Sequence, residues 1–258
     1  MKYYIVDAFN DKVFKGNAAG VCLLEEPLEE GIMQNIASEN NLAETAFLLK
    51  QGDIYSLRWF TPEHEIDLCG HATLASAYVL FRFMENGAEP LSFTTRSGIL
   101  KVKKNGETLE LDFPSRPPKE ITVTDLMKKA VGGKVLEAYL ARDLVLVLEN
   151  EKQVEQTVLD LKLAAQIPDY YGIIITAKGE EADFVSRFFS PNAGMSEDPV
   201  TGSAHSTLIP FWSKRLNKKK MLAYQLSKRG GILHCQDKGE RVGIAGTAVL
   251  YLTGEIHI

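Results

Sequence analysis

The sequence predicts an α+β protein built from two similar halves. Three observations carry this: a loop-and-helix signature that occurs twice, strand patterns joined to their neighbours by short turns, and one nearly apolar helix in each half. Residues 58–80 read RWFTPEHEIDLCGHATLASAYVL and residues 187–212 read RFFSPNAGMSEDPVTGSAHSTLIPFW. Both open with Arg, an aromatic residue, Phe, a hydroxyl residue and Pro. Both continue through an acidic stretch to Gly, a small polar or His residue, and Ala. Aligned on the glycines, Glu65, Cys69, Gly70, His71 and Ala72 match Glu197, Thr201, Gly202, Ser203 and Ala204. This is not a solenoid period. It implies two lobes, each presenting a polar loop and a helix N-terminus to one shared cleft.

Along the chain, residues 2–9 and 20–24 carry strand patterns around a turn at Lys15-Gly16-Asn17. Leu28, Ile32, Ile36 and Ala37 fall at helical spacing, and Asn40-Asn41 ends that helix. Glu44–Leu49 and Ser56–Phe60 read as strands around Gln51-Gly52-Asp53. From His71 to Phe83 the chain is nearly apolar all round, with small residues at Ala72, Ala75, Ser76 and Ala77. A helix without a polar face is buried, and small side chains let strands pack close to it. Strands follow at 91–95, 99–103 and 108–113, with Asn105-Gly106 as the hairpin turn. The stiff stretch from Pro114 to Pro118 places the boundary between lobes 1–116 and 117–258, with the last strand free to cross back.

The second half repeats the alternation. Strands are expected at 135–140 and 144–148, one helix at 151–165, and strands at 171–176 and 182–189. A helix over 203–215 contains Pro210, which should kink or restrict it. Strands at 222–228, 231–235, 241–246 and 248–252 close the chain.

With 258 residues, 45% hydrophobic and 24% charged, the chain is an ordinary globular protein able to bury two cores. The net charge of −5 argues against a nucleic-acid surface, and Lys218-Lys219-Lys220 reads as a solvated loop. No apolar run approaches the ~18 residues that a membrane span needs. The first residues run straight into a strand pattern rather than a signal peptide. The three cysteines, 22, 69 and 235, suggest no disulfide framework, so a cytoplasmic location is expected.

Neither GxGxxG after a strand nor GxxxxGK[ST] occurs, and His64, His71, His205, His234 and His257 lack metal-ligand spacing. No cofactor is therefore expected. What remains is a set of acid–base residues around two glycine turns. Gly70 and Gly202 at helix starts leave backbone N–H groups uncovered, where the helix dipole favours an anion. Two such ends suit a small carboxylated substrate, on which Glu44 and Asp198, with His71 and Ser203, can move protons. Each residue also has a plainer reading. Glu44, alone among apolar neighbours, is either a satisfied strand-edge carboxylate or a base whose pKa burial raises. His71 and Ser203 are helix caps or site residues, and Asp198 before Pro199 is a turn-former or an acid. Cys69 is a buried small hydrophobe or a thiolate stabilised by a helix N-terminus. Cys22 and Cys235 lie in strand patterns as packing residues.

Four blocks resemble the PhzF family, the phenazine-biosynthesis-like isomerases of the diaminopimelate-epimerase fold. They are Val6–Phe9 with Phe14–Asn17, Asn40–Phe47, Asp67–Thr73 and Glu197–His205. The resemblance implies lobes that each wrap a curved antiparallel sheet around a central helix, with the active site between them. It also implies cofactor-independent proton transfer in a homodimer. Glu44 matches the family's acid/base, and His71, Asp198 and Ser203 match its supporting polar groups. Two departures stand out. Residues 16–20 read GNAAG where the family commonly has Pro after the Asn, and Cys69 faces Thr201 across the repeat rather than a second cysteine. The leading expectation is an isomerase using Glu44, with Gly70, Gly202, Cys69 and Thr201 around the substrate. The alternatives are an amino-acid racemase or epimerase using Cys69, and a non-catalytic interaction protein on the same scaffold.

Overall fold

The computed structural model of the protein describes residues 1–84, 90–191 and 195–258, so residues 192–194 of the second signature lie outside the described residues. Contacts divide the chain into Met1–Phe113 with Ile244–Ile258, and Pro114–Gly243. The break falls three residues before the boundary expected from the prolines. The reason is that Ser115 N–H already bonds Glu240 O and Arg116 N–H bonds Ser206 O, both within the second unit.

In the first unit β1 (Lys2–Ala8) pairs antiparallel with β2 (Asn17–Leu24), which sets Ala8 opposite Asn17. The loop between them closes on the buried Asp7, whose carboxylate accepts from Phe14 N–H at 2.7 Å. Gly16 has φ +65°, and a Cβ there would lie 2.1 Å from Ala8 O, so only glycine fits. Helix α1 (Glu30–Asn40) ends on Asn41 in the left-handed region, φ 49°, and leads into β3 (Glu44–Gln51), parallel to β2. Next come β4 (Ile54–Phe60), β5 (Glu65–Ile66), α2 (Gly70–Phe83), β6 (Leu91–Thr95), parallel to β4, and the hairpin β7 (Gly98–Asn105) with β8 (Thr108–Pro114). The sheet is mostly antiparallel. The exceptions are the strand pairs joined through α1 and α2, because a parallel pair needs a crossover.

Tyr3, Cys22, Phe47 and Phe60 pack with Met33, Ile36 and Ala37 of α1. Alternate residues of the same strands, such as Val21 and Ala46, are fully buried too, and α2 packs on β1, β2 and β3. Strands covered on both faces explain why NAAGVCLL shows no polar alternation. The sequence expectation for α2 is met: Ala72, Ala75 and Ala77 are fully buried. Its hydroxyls turn inward on the helix, Thr73 Oγ1 to Cys69 O at 2.5 Å and Ser76 Oγ to Ala72 O at 2.7 Å.

The second unit opens with β9 (Lys119–Ile121) and α3 (Asp125–Val131), then repeats the first: β10 (Glu137–Leu140), β11 (Leu144–Val147), α4 (Glu151–Gln156), α5 (Leu161–Ala164), β12 (Ile173–Lys178), β13 (Phe184–Ser190), β14 (Met195–Asp198), α6 (Gly202–Leu216), β15 (Lys220–Gln225) and β16 (Gly231–Asp237). Pairing repeats as well. β10 lies antiparallel to β11, β11 parallel to β12, β12 antiparallel to β13, and β13 parallel to β15. After β17 (Arg241–Gly246), the final strand β18 (Ala248–Glu255) pairs with β1, whereas β9, which follows the first repeat, pairs with β10. The strand after each repeat thus lies in the same unit as the strand it pairs with.

One local expectation is corrected and one helix is added. The single helix over 151–165 is two short helices. Thr157 is extended, Val158 is 87% exposed, and the Asp160 carboxylate caps α5 by accepting from Lys162 and Leu163 N–H at 3.0 Å each. Helix α3 escapes the periodicity reading because it is only two turns long. Its signal is Thr124, whose hydroxyl accepts from Met127 N–H at 3.2 Å, with Gly132 at φ +69° as the stop. In α6, Pro210 sits inside a continuous helical span. The carbonyl four residues back, Ser206 O, accepts instead from Arg116 N–H at 2.9 Å.

Candidate active site

The two signatures build the same scaffold. In the first, Arg58 holds Glu65 through Nε–Oε1 at 2.7 Å and Nη2–Oε2 at 2.5 Å. In the second, Arg187 holds Glu197 through 2.6 and 3.1 Å. These bidentate pairs tie the strand that opens each signature to its polar turn. Cys69 and Thr201 are then the N-caps of α2 and α6, Gly70 and Gly202 the first helical residues, and His71 and Ser203 the second. The capping reading of His71 and Ser203 is thereby corrected, since neither occupies the cap position. The third turn-facing group also repeats: Thr73 Oγ1 and His205 Nδ1 bond the carbonyls of Cys69 and Thr201, at 2.5 and 2.9 Å.

On this common frame the first unit places an acid–base cluster. Glu44, the first residue of β3, brings Oε2 to 2.9 Å from His71 Nε2. Neither atom has another hydrogen-bond partner among the described residues. The other ring nitrogen, Nδ1, lies 3.2 Å from Asn17 Nδ2 and 3.5 Å from Cys69 Sγ. All four side chains are buried: Glu44 is 7% exposed, His71 3%, Cys69 5% and Asn17 1%. Burial disfavours charge on His71, but Cys69 and Glu44 outweigh it, and the imidazole pKa lies well above the ordinary histidine value. Of these two, Glu44 is the partner that acts at neutral pH. The Cys69 thiol is itself pushed up to about 11, by burial first and by Glu44 second, and so keeps its proton. The thiolate stabilised by a helix end, one of the two sequence readings of Cys69, is not what the surroundings favour.

Glu44, Cys69 and His71 offer three ligand atoms within 4.8 Å of one another. Glu44 meets Nε2 and Cys69 meets Nδ1, so the two side chains address different nitrogens of one ring. The arrangement suits a proton relay better than coordination.

The second unit carries different chemistry at the equivalent turn. Asp198 ends β14 and is 8% exposed; its Oδ2 accepts from Thr201 Oγ1 at 2.5 Å. Gln225 closes the turn, donating Nε2 to Asp198 O at 2.8 Å and accepting from Thr201 N–H at 2.8 Å. Ser203 is joined to neither; its Oγ accepts from Arg142 Nη2 at 3.0 Å. His205 is wholly buried beside Phe184, and burial lowers its pKa to about 4. It stays neutral, donating Nδ1–H to Thr201 O, and its Nε2 has no partner among the described residues.

Sequence reasoning missed three polar partners. Asn17 had a signal, since it closes the Phe14–Asn17 block. Gln225 and Arg142 had none, because each reaches its turn from a position far away in sequence. Cys22 and Cys235 are buried packing residues, with thiols pushed upward by burial, Cys22 to about 12. A cleft of about 360 Å³ lined by Val131, Lys134, Gln153 and Val158 includes none of the candidate residues.

The family model for phenazine biosynthesis-like proteins matches residues 6–254. A Pseudomonas aeruginosa protein named as an uncharacterized isomerase is 47% identical, covering 100% of this chain and 99% of that one. The crystal structure of a PhzF-family phenazine biosynthesis protein from Enterococcus faecalis superposes with a TM-score of 0.98 at 52% identity, covering 100% and 99% of the two chains. A probable proline racemase from Agrobacterium radiobacter, at 10% identity and a TM-score of 0.65 over 100% and 93%, shares the fold alone. With signatures, doubled topology and whole-length matches in agreement, the chain belongs to the PhzF family of phenazine biosynthesis-like proteins, an isomerase family with the fold of the proline and diaminopimelate epimerases.

Proposed function

We propose that the protein is an isomerase that moves a proton between carbons of a small carboxylated, unsaturated substrate, with Glu44 as the acid/base. The observation that carries this is the buried Glu44–His71 pair, 2.9 Å apart. Glu44 is the carboxylate of this pair and serves as the proton acceptor. It takes a proton from a carbon next to an unsaturated or carboxylated centre, the electron pair shifts along the conjugated system, and Glu44, after exchanging that proton with solvent, returns one to a different carbon. Atoms and electrons balance without an oxidant. His71 stabilises the negative charge that develops, and the amide at Gly70 suits an anionic group. The isomerase name of the Pseudomonas relative and the match to PhzF structures support this reading.

The test is Glu44→Gln on a substrate verified for the wild type. The amide keeps the shape and cannot accept a proton at neutral pH, so turnover should fall by roughly 10²–10⁴ with folding intact. Activity within about threefold of wild type, too little loss for a missing general base, would remove Glu44 from the role.

A further inference from the structure

The hydrogen-bond chemistry around His71 is one-sided, and the side chain that makes it so is Asn17. The loop between β1 and β2 delivers it. Phe9, Phe14 and Gly16 all lie in the left-handed region there, at φ 64°, 70° and 65°. Each is fixed by its surroundings: Phe9 N–H donates to Thr247 O at 2.8 Å, Phe14 N–H donates to Asp7 Oδ2 at 2.7 Å, and Gly16 abuts Ala8 O. Strained backbone of this kind persists only where the structure over-determines it, and it clusters at functional sites. The strand that follows starts at Asn17, opposite Ala8, with the side chain buried and Nδ2 3.2 Å from His71 Nδ1.

An amide NH2 donates and cannot accept. Nδ1 therefore presents its lone pair to Asn17, and the proton of the neutral ring lies on Nε2, 2.9 Å from Glu44 Oε2. The second neighbour of Nδ1, Cys69 Sγ at 3.5 Å, is a thiol that keeps its own proton. A further proton on the ring would have to enter at Nδ1, against the Asn17 donor. Helix position acts in the same sense, because His71 is the second residue of α2, where the positive end of the dipole disfavours a cation. Glu44, from β3, pulls the other way. The remaining elements packed on α2 add no charge at the ring: Asp7 of β1 is turned to Phe14 N–H, and Lys2 and Glu255 of β1 and β18 face each other at the far end of their pair. Glu44 thus raises the imidazole pKa, and Asn17 sets how far it rises.

We propose that Asn17 is a positioning residue that, by donating to Nδ1, holds the His71 proton on Nε2 and keeps Glu44 opposite a neutral N–H rather than a cation. The consequence for catalysis, and only that, rests on the function proposed above. A carboxylate facing a neutral donor is more basic than one facing an imidazolium, so the amide keeps Glu44 the stronger base. Oε2 stays occupied by Nε2–H throughout, which leaves Oε1 to exchange protons with substrate.

The experiment is a pH titration of the full chain labelled with ¹⁵N-histidine, followed by NMR, with the His71 signals assigned from His71→Gln. Above its midpoint the wild-type ring should carry its proton on Nε2, and the titrating nitrogen should be Nδ1. Asn17→Ala removes the donor that favours the neutral ring, so the midpoint should rise by roughly half to one pH unit, the worth of one neutral hydrogen bond. Asn17→Asp, of the same shape but accepting only, should raise it further. A midpoint that falls in Asn17→Ala means that the amide oxygen serves a charged ring. That result, an unmoved midpoint in either variant, or a neutral ring protonated on Nδ1 would overturn the assignment. Should the variants fail to fold, the wild type alone decides, through the protonated nitrogen and a coupling across the hydrogen bond from the Asn17 amide to Nδ1.

The rate profile supplies the functional reading. Deuterium uptake into a verified substrate should increase as pH rises through the His71 midpoint, and in both variants that limb should move to higher pH by the shift that NMR records. A merely structural role for Asn17 would lower the rate without moving the limb. If the midpoints move as stated while Glu44→Gln retains full turnover, the isomerase reading fails and the Asn17 assignment stands. If Glu44→Gln is inactive and the midpoints stay fixed, the reaction stands and the assignment falls.

Discussion

Replacing Cys69 with serine separates the two chemistries that this fold supports. The thiol is 5% exposed and its pKa is pushed up to about 11, by burial first and by the Glu44 carboxylate second. At pH 7 that leaves about one molecule in 10⁴ as thiolate, so a thiolate base would forfeit about four orders of magnitude before any chemistry began. Its contact with His71 Nδ1, at 3.5 Å, is one that a serine hydroxyl can also make. Cys69→Ser should therefore keep kcat/KM within about threefold of wild type, while Glu44→Gln loses roughly 10²–10⁴, the usual share of a general base. The assay is the initial rate of deuterium uptake into substrate in heavy water, with melting curves for both variants to exclude unfolding. Loss of about 100-fold or more in Cys69→Ser, with Glu44→Gln active, would refute the reasoning and restore a thiol mechanism.

The other predictions concern stability and the second turn. Arg187→Ala removes the partner of Glu197 together with bonds to the Val154, Glu155 and Thr157 carbonyls, and denaturant unfolding should show a loss of about 3–5 kcal/mol. Arg58→Ala should cost less, because Arg96 also pairs with Glu65, at 2.6 Å; an equal or larger loss would contradict this comparison. The two central-helix histidines have opposite pH signatures. His205, neutral when folded with a pKa near 4 against 6.5 unfolded, contributes stability that is present above about 6.5 and lost as pH falls toward 4, some 3 kcal/mol in all. His71 has a raised folded pKa, so its contribution is complete below 6.5 and is lost as pH rises through the folded value. In stability–pH curves His205→Gln should flatten the acid limb, and a curve parallel to wild type there would contradict the assignment. Asp198→Asn should lower turnover by about tenfold or more if the acid orients substrate, and an unaltered rate would leave it a turn residue.

How legible the site was depended on how local each interaction is. The helix starts at Gly70 and Gly202 were readable because a cap, a glycine and a small-residue run are contiguous. Glu44 was readable as an anomaly, a lone acid at the head of an apolar strand. The partners were harder. Arg142 reaches Ser203 from 61 residues away, Gln225 reaches Thr201 from 24, and Arg116 reaches α6 only because Pro210 leaves a carbonyl vacant. No periodicity records such long-range pairings. The division of helix 151–165 was missed for a related reason. The apolar spacing runs on through Val158, and the competing cap at Asp160 won because its carboxylate satisfies two N–H groups that a continuous helix would have used internally. The parallel pairs β2–β3 and β11–β12 were hidden because strands covered on both faces look alike whichever way they run.

The central claim is that Glu44, poised against His71, carries a proton between solvent and substrate carbon. The most direct measurement is a screen of small carboxylic acids for deuterium incorporation at carbon in heavy water, read by mass spectrometry with wild type and Glu44→Gln side by side. The account predicts at least one compound that gains deuterium with the wild type and with Cys69→Ser, and gains it roughly 10²–10⁴ times more slowly with Glu44→Gln. Incorporation that proceeds equally fast in Glu44→Gln would contradict it.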